Sequence, residues 1–153
     1  MDGEGDAVTS RYGLEIRAAT PAEAAGLAEL LGGGLEVRQL AERLAALQQA
    51  SGAALIAVEW GPPSGLVVLH WYHSLGAVQP IAQVTTLLVR PEDRRRGIGR
   101  LLLKAASQAA RSAGCGTLEL LAPAEAPVLG DFCRATGFTQ IGACFLRPLR
   151  KGA

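Results

Sequence analysis

The sequence has few of the residues from which metal centres and disulfide frameworks are built. Only three cysteines and two histidines occur in 153 residues. Cys115, Cys133 and Cys144 are not spaced like the ligands of a zinc site, and their number does not suggest a disulfide framework. We therefore expect no metal, reduced thiols and a cytoplasmic location.

Long hydrophobic runs and a secretory leader are also missing. The longest apolar runs are far shorter than the roughly 20 residues that a membrane-spanning helix needs. The first ten residues are polar and acidic and have no apolar signal core. We predict that residues 1–10 form a disordered tail and that the protein does not bind membranes.

The overall composition is that of a soluble globular domain. Apolar residues make up 49% of the chain and charged residues 19%, which excludes disorder. A chain of 153 residues is the size of one domain, which we assign to residues 11–153. The net charge of +1 argues against nucleic-acid binding, because the basic residues are balanced overall and gather mainly in one turn. The partner of that turn should be small and anionic.

This basic turn lies between an apolar run and a helical pattern. The run Val84–Val89 stops at Pro91, and from Ile98 onward apolar residues recur with helical spacing. A helix start leaves backbone N–H groups without partners and carries partial positive charge. Together with the arginines and glycines at 94–100, this helix start predicts a site for a pyrophosphate. The alternative is a solvated basic turn in which the glycines serve only loop geometry.

The remaining elements follow from periodicity and turn signals. A strand at 14–18 precedes a capping box, Thr20–Glu23, and two helices; Gly61–Gly65 then connects the two strands of a hairpin. The central strand, 81–89, the helix, 98–113, and a strand, 117–121, form a crossover that makes the two strands parallel. A last helix at 127–136, capped by Gly137, leads into a final strand, 138–146. The prediction is a mixed α/β sheet.

Neither of the common nucleotide-binding motifs is present, but the basic turn has a known counterpart. Arg94-x-x-Gly97-x-Gly99, preceded by Leu87-x-Val89 on a strand, resembles the acyl-CoA-binding motif of the GNAT superfamily of N-acetyltransferases. The order βααβββαβαβ matches the GNAT fold over nearly the whole chain. The resemblance implies transfer of the acetyl group of acetyl-CoA directly to a primary amine of a small molecule or peptide. The alternative is an acyl-CoA-binding module with lost or weak catalysis.

The resemblance also implies which residues bind the cosubstrate. In the family, backbone groups of the central strand hydrogen-bond pantetheine and the thioester carbonyl. By this resemblance the backbone N–H of Leu88 would stabilise the oxyanion, an effect of about 3 to 4 kcal/mol in other acyl-transfer enzymes. The residues implied to bind CoA are Leu87, Leu88, Val89, Arg94, Arg95, Arg96, Gly97, Ile98, Gly99 and Arg100.

Two side chains depart from the family pattern. Phe132-Cys133-Arg134-Ala135-Thr136-Gly137-Phe138 lines up with Phe-Tyr-x-x-x-Gly-Phe, in which the tyrosine protonates the departing thiolate. Cys133 stands at that tyrosine, and Ala126 replaces an asparagine that contacts pantetheine. Cys133 is either a small buried residue or a weak acid in place of the tyrosine.

No residue is an obvious base for the acceptor amine. Gln83, Thr85 and Thr86 occupy the part of the central strand where some family members carry a carboxylate. The nearest candidates are His70 and His73, and Glu59 is a weaker one. We expect the acceptor pocket to be formed by the first two helices and the loop His73–Pro80. The composition of this loop does not indicate which ligand binds. Dimerisation is common in the family, so a homodimer is a further expectation.

Overall fold

The computed structural model describes residues 8–9, 13–123 and 126–150. The chain divides into two compact units, residues 1–120 and 121–153. The assignment of residues 11–153 to a single domain stays a prediction.

The first unit contains a mixed sheet with helices in its connections. Its strands are β1 (Val8–Thr9), β2 (Glu15–Ala18), β3 (Gly52–Val58), β4 (Gly65–Tyr72), β5 (Ile81–Val89) and β6 (Thr117–Leu120), in the spatial order β1-β2-β3-β4-β5-β6. Its helices are α1 (Ala24–Leu30), α2 (Val37–Gln49) and α3 (Ile98–Ser112). Neighbouring strands are antiparallel except β5 and β6, which are parallel and joined by α3. The predicted α/β class, hairpin and crossover are confirmed.

The predicted N-terminal tail is partly wrong. Val8 and Thr9 pair with Ile16 and Glu15 of β2 and so form the first strand of the sheet. The other residues of the predicted tail, 1–7 and 10, lie outside the described residues.

The sheet carries a separate hydrophobic cluster on each face. On one face Leu27 of α1 and Leu44 of α2 pack with Ile56 of β3. On the other face Ile98 and Leu102 of α3 pack with strand residues such as Leu55 and Ala57. These two residues flank Ile56 along β3 and so point to the opposite face. Ile98 and Leu102 are 1% and 0% exposed, and burying a side chain of this size contributes about 1.5 to 3 kcal/mol. This packing fixes the start of α3 against the sheet.

Local capping signals set the ends of the helices. The Thr20 N–H donates to Glu23 Oε1 at 2.7 Å, which confirms the predicted capping box ahead of α1. At the end of α3, Gly114 has φ 86° and the Cys115 N–H donates to the Ala110 carbonyl at 2.9 Å. Glycine is favoured there because a left-handed residue closes this helix-ending motif.

The second unit contains one helix, α4 (Pro127–Ala135), among its described residues. Gly137 has φ 98° and ends it, as predicted. The predicted last strand is wrong, because residues 138–148 form neither strand nor helix. Ile141, Phe145 and Leu146 are 84%, 92% and 88% exposed. Their apolar character favours a strand, but a strand forms only where a partner satisfies its backbone groups.

Candidate active site

The pairing between the parallel strands β5 and β6 ends halfway along β5. The paired residues run from Ile81↔Thr117 to Val84↔Leu120. Beyond Val84, β5 continues to Val89 and pairs only with β4 within the described part of the chain. The far half of β5 therefore has a backbone edge that no described strand covers.

A β-bulge decides which amide groups face this open edge. The Trp71 N–H donates to the Ser51 carbonyl at 3.0 Å. The backbone N–H and C=O groups of odd-numbered residues of β4 therefore point to β3, and those of even-numbered residues point to β5. Leu66 pairs with Leu88, so the Leu88 N–H is directed at β4. Since backbone direction alternates along a strand, the N–H groups of Leu87 and Val89 face the open edge. The Leu88 N–H, to which the resemblance assigns an oxyanion role, thus lies on the β4 side, and that role stays a prediction.

The bulge itself lies at Thr85. The register shifts between Val68 and Leu69 of β4, which pair with Thr86 and Val84, so Thr85 is the extra residue. Before the bulge the Gly116 N–H donates to the Pro80 carbonyl at 3.0 Å. In that part of β5 the backbone groups of even-numbered residues therefore point to β6. The inserted residue reverses this alternation, and the sequence gives no sign of it.

The turn after β5 has the backbone that an anion site needs. Arg95 and Gly97 are left-handed, with φ 67° and 80°. The helical hydrogen bonds of α3 begin with the Leu101 N–H, which donates to the Gly97 carbonyl at 3.1 Å. The amides of Ile98 and Gly99 precede that bond and carry the partial positive charge of the helix start. The predicted strand, turn and helix start are confirmed; phosphate binding by them stays a prediction.

The arginines of the turn differ in their contacts. Arg94 and Arg95 are exposed, and Arg94 Nε donates to the Val89 carbonyl at 3.3 Å. Arg96 donates to both oxygens of Glu59, at 2.9 and 2.7 Å. Arg100 lies exposed in the first turn of α3. Arg96, which the sequence grouped with the phosphate ligands, is thus held by carboxylates.

The two histidines lie at different distances from the open edge. His70 is exposed on β4 and pairs with Gln83, which precedes Leu87 by four residues, or roughly 13 Å of strand. His73 follows the last β4–β5 pair, Tyr72↔Ile81, so it lies roughly 20 Å or more from Leu87 along β5. Of the two histidines, His70 therefore lies nearer to the open edge and is the better candidate for the base.

A carboxylate that sequence reasoning missed lies beside the end of the parallel pairing. Glu119 of β6 pairs with Gln83, one pair before Val84↔Leu120. Its Oε1 accepts from Gln83 Nε2 at 3.1 Å and from the Tyr72 hydroxyl at 3.4 Å. Desolvation first, and then the Glu119 carboxylate, raise the pKa of Tyr72, so its hydroxyl stays a donor. The signal was present, since Glu119 interrupts an apolar strand directly after the crossover helix.

Cys133 lies in the second unit, on α4. It is half-buried, and burial raises the pKa of its thiol although Arg134 acts in the opposite direction. Ala126 is the N-cap of α4 and supplies no side-chain cap. The role of Cys133 as an acid stays a prediction.

The described residues form neither a cluster of metal ligands nor a membrane-spanning helix. Among residues 8–9, 13–123 and 126–150, no three His, Cys, Asp or Glu side chains are grouped as a metal site would require. Within the same ranges no helix combines the length and the hydrophobicity needed to cross a bilayer.

A family model for the GNAT acetyltransferases matches residues 28–138, which include the sheet from β3 to β6 and the turn. The chain belongs to the GNAT acetyltransferase family. No curated protein matches this chain.

Solved structures share this GNAT fold. A transcriptional regulator from Bacillus halodurans has a TM-score of 0.80 at 16% identity, with 89% of this chain and 99% of that chain covered. The aminoglycoside N-acetyltransferase AAC(6′)-Iy, solved with CoA, has a TM-score of 0.79 at 19% identity, with 94% and 99% covered. A putative acetyltransferase from Agrobacterium tumefaciens has a TM-score of 0.76 at 27% identity, with 87% and 98% covered.

Proposed function

We propose that this GNAT acetyltransferase transfers the acetyl group of acetyl-CoA to a primary amine of a small molecule or peptide by direct attack. The observation that carries the proposal is the open edge of β5, which leads into the left-handed turn and the start of α3. A thioester needs hydrogen-bond donors beside its carbonyl, and a pyrophosphate needs amides and cations. The open edge offers the first and the turn offers the second.

The reaction requires little from side chains. The amine nitrogen attacks the thioester carbon, the carbonyl oxygen gains negative charge, and the carbon–sulfur bond breaks to release the CoA thiolate. The N–H of Leu87 faces the open edge and is placed to donate to that oxygen, while the N–H of Val89 can hold the pantetheine arm. Holding two reactants in register supplies about 7 to 11 kcal/mol, more than a single general acid provides. Catalysis can therefore proceed without the tyrosine that Cys133 replaces.

Glu119 is a candidate, beside His70, for binding and deprotonating the acceptor amine through water; both residues pair with Gln83, roughly 13 Å of strand from Leu87. Both of its hydrogen bonds fall on Oε1, and no donor among the described residues reaches Oε2. A carboxylate in this place attracts an ammonium ion and can take its proton before attack. His70 lies on the same face of the sheet, across β5, and remains the other candidate.

The Glu119→Gln variant separates these roles. We expect kcat/KM for the amine to fall by about 10² while the dissociation constant of CoA is unchanged, because Glu119 lies away from the turn. His73→Gln should behave like the wild type. A Glu119→Gln enzyme with unaltered kinetics and an altered pH profile in His70→Gln would assign the base to His70.

The Gly99→Glu variant tests the anion site itself. A carboxylate at the helix start would meet the pyrophosphate, so CoA binding measured by calorimetry should weaken at least about tenfold, or 1.4 kcal/mol. A folded variant with the affinity of the wild type would remove the turn from the site.

The acceptor amine is best sought with a panel. Two structural neighbours are aminoglycoside acetyltransferases, one solved with CoA and one, from an uncultured soil metagenomic sample, solved with sisomicin. Aminoglycosides, polyamines and peptides with a free amino terminus should therefore be assayed for thiol release from acetyl-CoA. Tight CoA binding with no turnover on any amine would favour the acyl-CoA-binding module, which the replacements at 126 and 133 would explain.

A further inference from the structure

The turn that follows β5 is tied to the β3–β4 hairpin by a chain of ion pairs. Arg96 donates to both oxygens of Glu59, and its Nη1 also donates to Asp93 Oδ1 at 2.8 Å. The other oxygen of Asp93, Oδ2, accepts from Arg90 Nε at 2.8 Å and from Arg90 Nη2 at 2.7 Å. Glu59 is 37 residues away from Arg96 in the sequence.

A backbone bond fastens the same hairpin at the other end of the turn. The Arg90 N–H donates to the Ser64 carbonyl at 2.8 Å. Ser64 is 2% exposed, and its Oγ and N–H both donate to the Ala57 carbonyl, at 3.2 and 2.8 Å. Asp93 is 8% exposed, so the middle of the chain of ion pairs is shielded from water. The turn is therefore attached to the hairpin both before and after Asp93.

The charges of this chain cancel. Two guanidinium groups, of Arg90 and Arg96, face two carboxylates, of Asp93 and Glu59. The hydrogen bonds to Arg96 hold the pKa of Glu59 below its usual range, so the pair stays charged at neutral pH. A phosphate that bound Arg96 would have to displace Glu59 from a bidentate pair. Such a pair is stronger than a single hydrogen bond between an arginine and an oxyanion.

We infer that Arg96 is a positioning residue that acts through Glu59 to hold the turn in the conformation that binds CoA. The bridge fixes the backbone between the left-handed residues Arg95 and Gly97, and so aims the amides of Ile98 and Gly99. Phosphate contacts are left to the other arginines of the turn. This inference rests on the proposed function, because it assumes that CoA binds at the turn.

Replacing Glu59 distinguishes an effect of charge from an effect of positioning. Glu59 is an acid close to a site for an anion, so its removal should favour CoA if charge alone mattered. If the bridge positions the turn, Glu59→Gln should instead weaken CoA binding at least fivefold, as should Arg96→Gln. The double variant should be no more than about twofold weaker than the weaker single variant, because both changes remove the same bridge.

The matched control is Glu92→Gln. Glu92 lies exposed between Arg90 and Asp93, and no described residue bonds to its side chain. Its replacement by glutamine removes the same charge as Glu59→Gln, from the turn itself, without breaking the bridge, so CoA affinity should stay within twofold of the wild type. Calorimetric titration with CoA, after circular dichroism shows that each variant is folded, provides the dissociation constants of the wild type and the four variants.

Kinetics add a second readout. The Glu59→Gln enzyme should raise KM for acetyl-CoA at least fivefold with kcat changed less than twofold, and should leave KM for S-acetylpantetheine, which lacks the pyrophosphate, unchanged. If Glu59→Gln does not fold, Arg96→Lys replaces it. A lysine keeps the charge but cannot hold two carboxylates in a fork, so CoA should bind at least threefold more weakly.

The outcomes separate the two proposals. Wild-type protein that does not bind CoA contradicts the proposed function. Wild-type protein that binds CoA, with Glu59→Gln equal to or tighter than Glu92→Gln, overturns the inference; if Arg96→Gln alone then weakens CoA binding, Arg96 is a direct phosphate ligand. Arg96→Lys with wild-type affinity would overturn it as well.

Discussion

Replacing Gly97 by alanine tests whether the left-handed backbone of the turn is needed. Gly97 is the N-cap of α3 and has φ 80° and ψ 10°. A Cβ added there would meet no atom within 4 Å, so the cost of alanine comes from conformation and not from a clash. The left-handed region costs an L-residue about 1 to 2 kcal/mol, and the lower entropy of the unfolded chain returns about 0.4 to 1 kcal/mol. We expect a net loss of about 1 kcal/mol, roughly fivefold in the folding equilibrium.

The control for this change is Gly76→Ala. Gly76 also has no atom within 4 Å of an added Cβ, but its φ is not positive. Urea unfolding at 25 °C should show Gly97→Ala less stable by about 1 kcal/mol and Gly76→Ala equal to or slightly more stable than the wild type. If the alanine leaves the left-handed region instead, stability is kept but CoA binding weakens, since the amides of Ile98 and Gly99 move. Equal stability and equal CoA affinity in both variants would refute the reasoning.

Two further predictions concern Cys133 and the Arg17–Glu23 pair. Because burial raises the pKa of the Cys133 thiol, we expect Cys133→Ala to lose some stability and keep kcat within a few-fold; a drop near 10² with CoA affinity preserved would make the thiol an acid. The hydrogen bond from Arg17 lowers the pKa of Glu23, with burial acting against it. This stabilisation is therefore present above the ordinary glutamate pKa of about 4.3 and is lost as pH falls through the lower folded value. In urea unfolding from pH 7 to pH 3, the advantage of the wild type over Glu23→Gln should shrink; a constant difference would contradict this.

Several features could be predicted from short stretches of sequence. The end of β5 follows from a run of β-branched and apolar residues that stops before Pro91, and α3 begins where the apolar spacing changes to that of a helix. The capping box at Thr20 needs only residues three apart. These predictions succeed because the interactions that decide them lie within a few residues of each other.

The prediction of a last strand was wrong because a strand depends on a partner that is distant in the sequence. Residues 138–146 have the apolar content of a strand, and the sequence pattern cannot reveal whether a partner is in place. Gly142 within the run weakens the preference further, since glycine loses the most entropy when it is ordered.

The sequence by itself determined that a glycine- and arginine-rich turn connects a strand to a helix, because periodicity and turn chemistry are local. Only the tertiary structure decided which backbone groups of that region face the open edge and which side chains meet there. A bulge at Thr85 turns the N–H of Leu87 rather than Leu88 to the open edge. Strand pairing brings Glu119 to Gln83, and the docking of the turn on the β3–β4 hairpin brings Glu59 to Arg96. Each of these contacts joins residues more than thirty positions apart or depends on register, and register is set by the whole packed sheet.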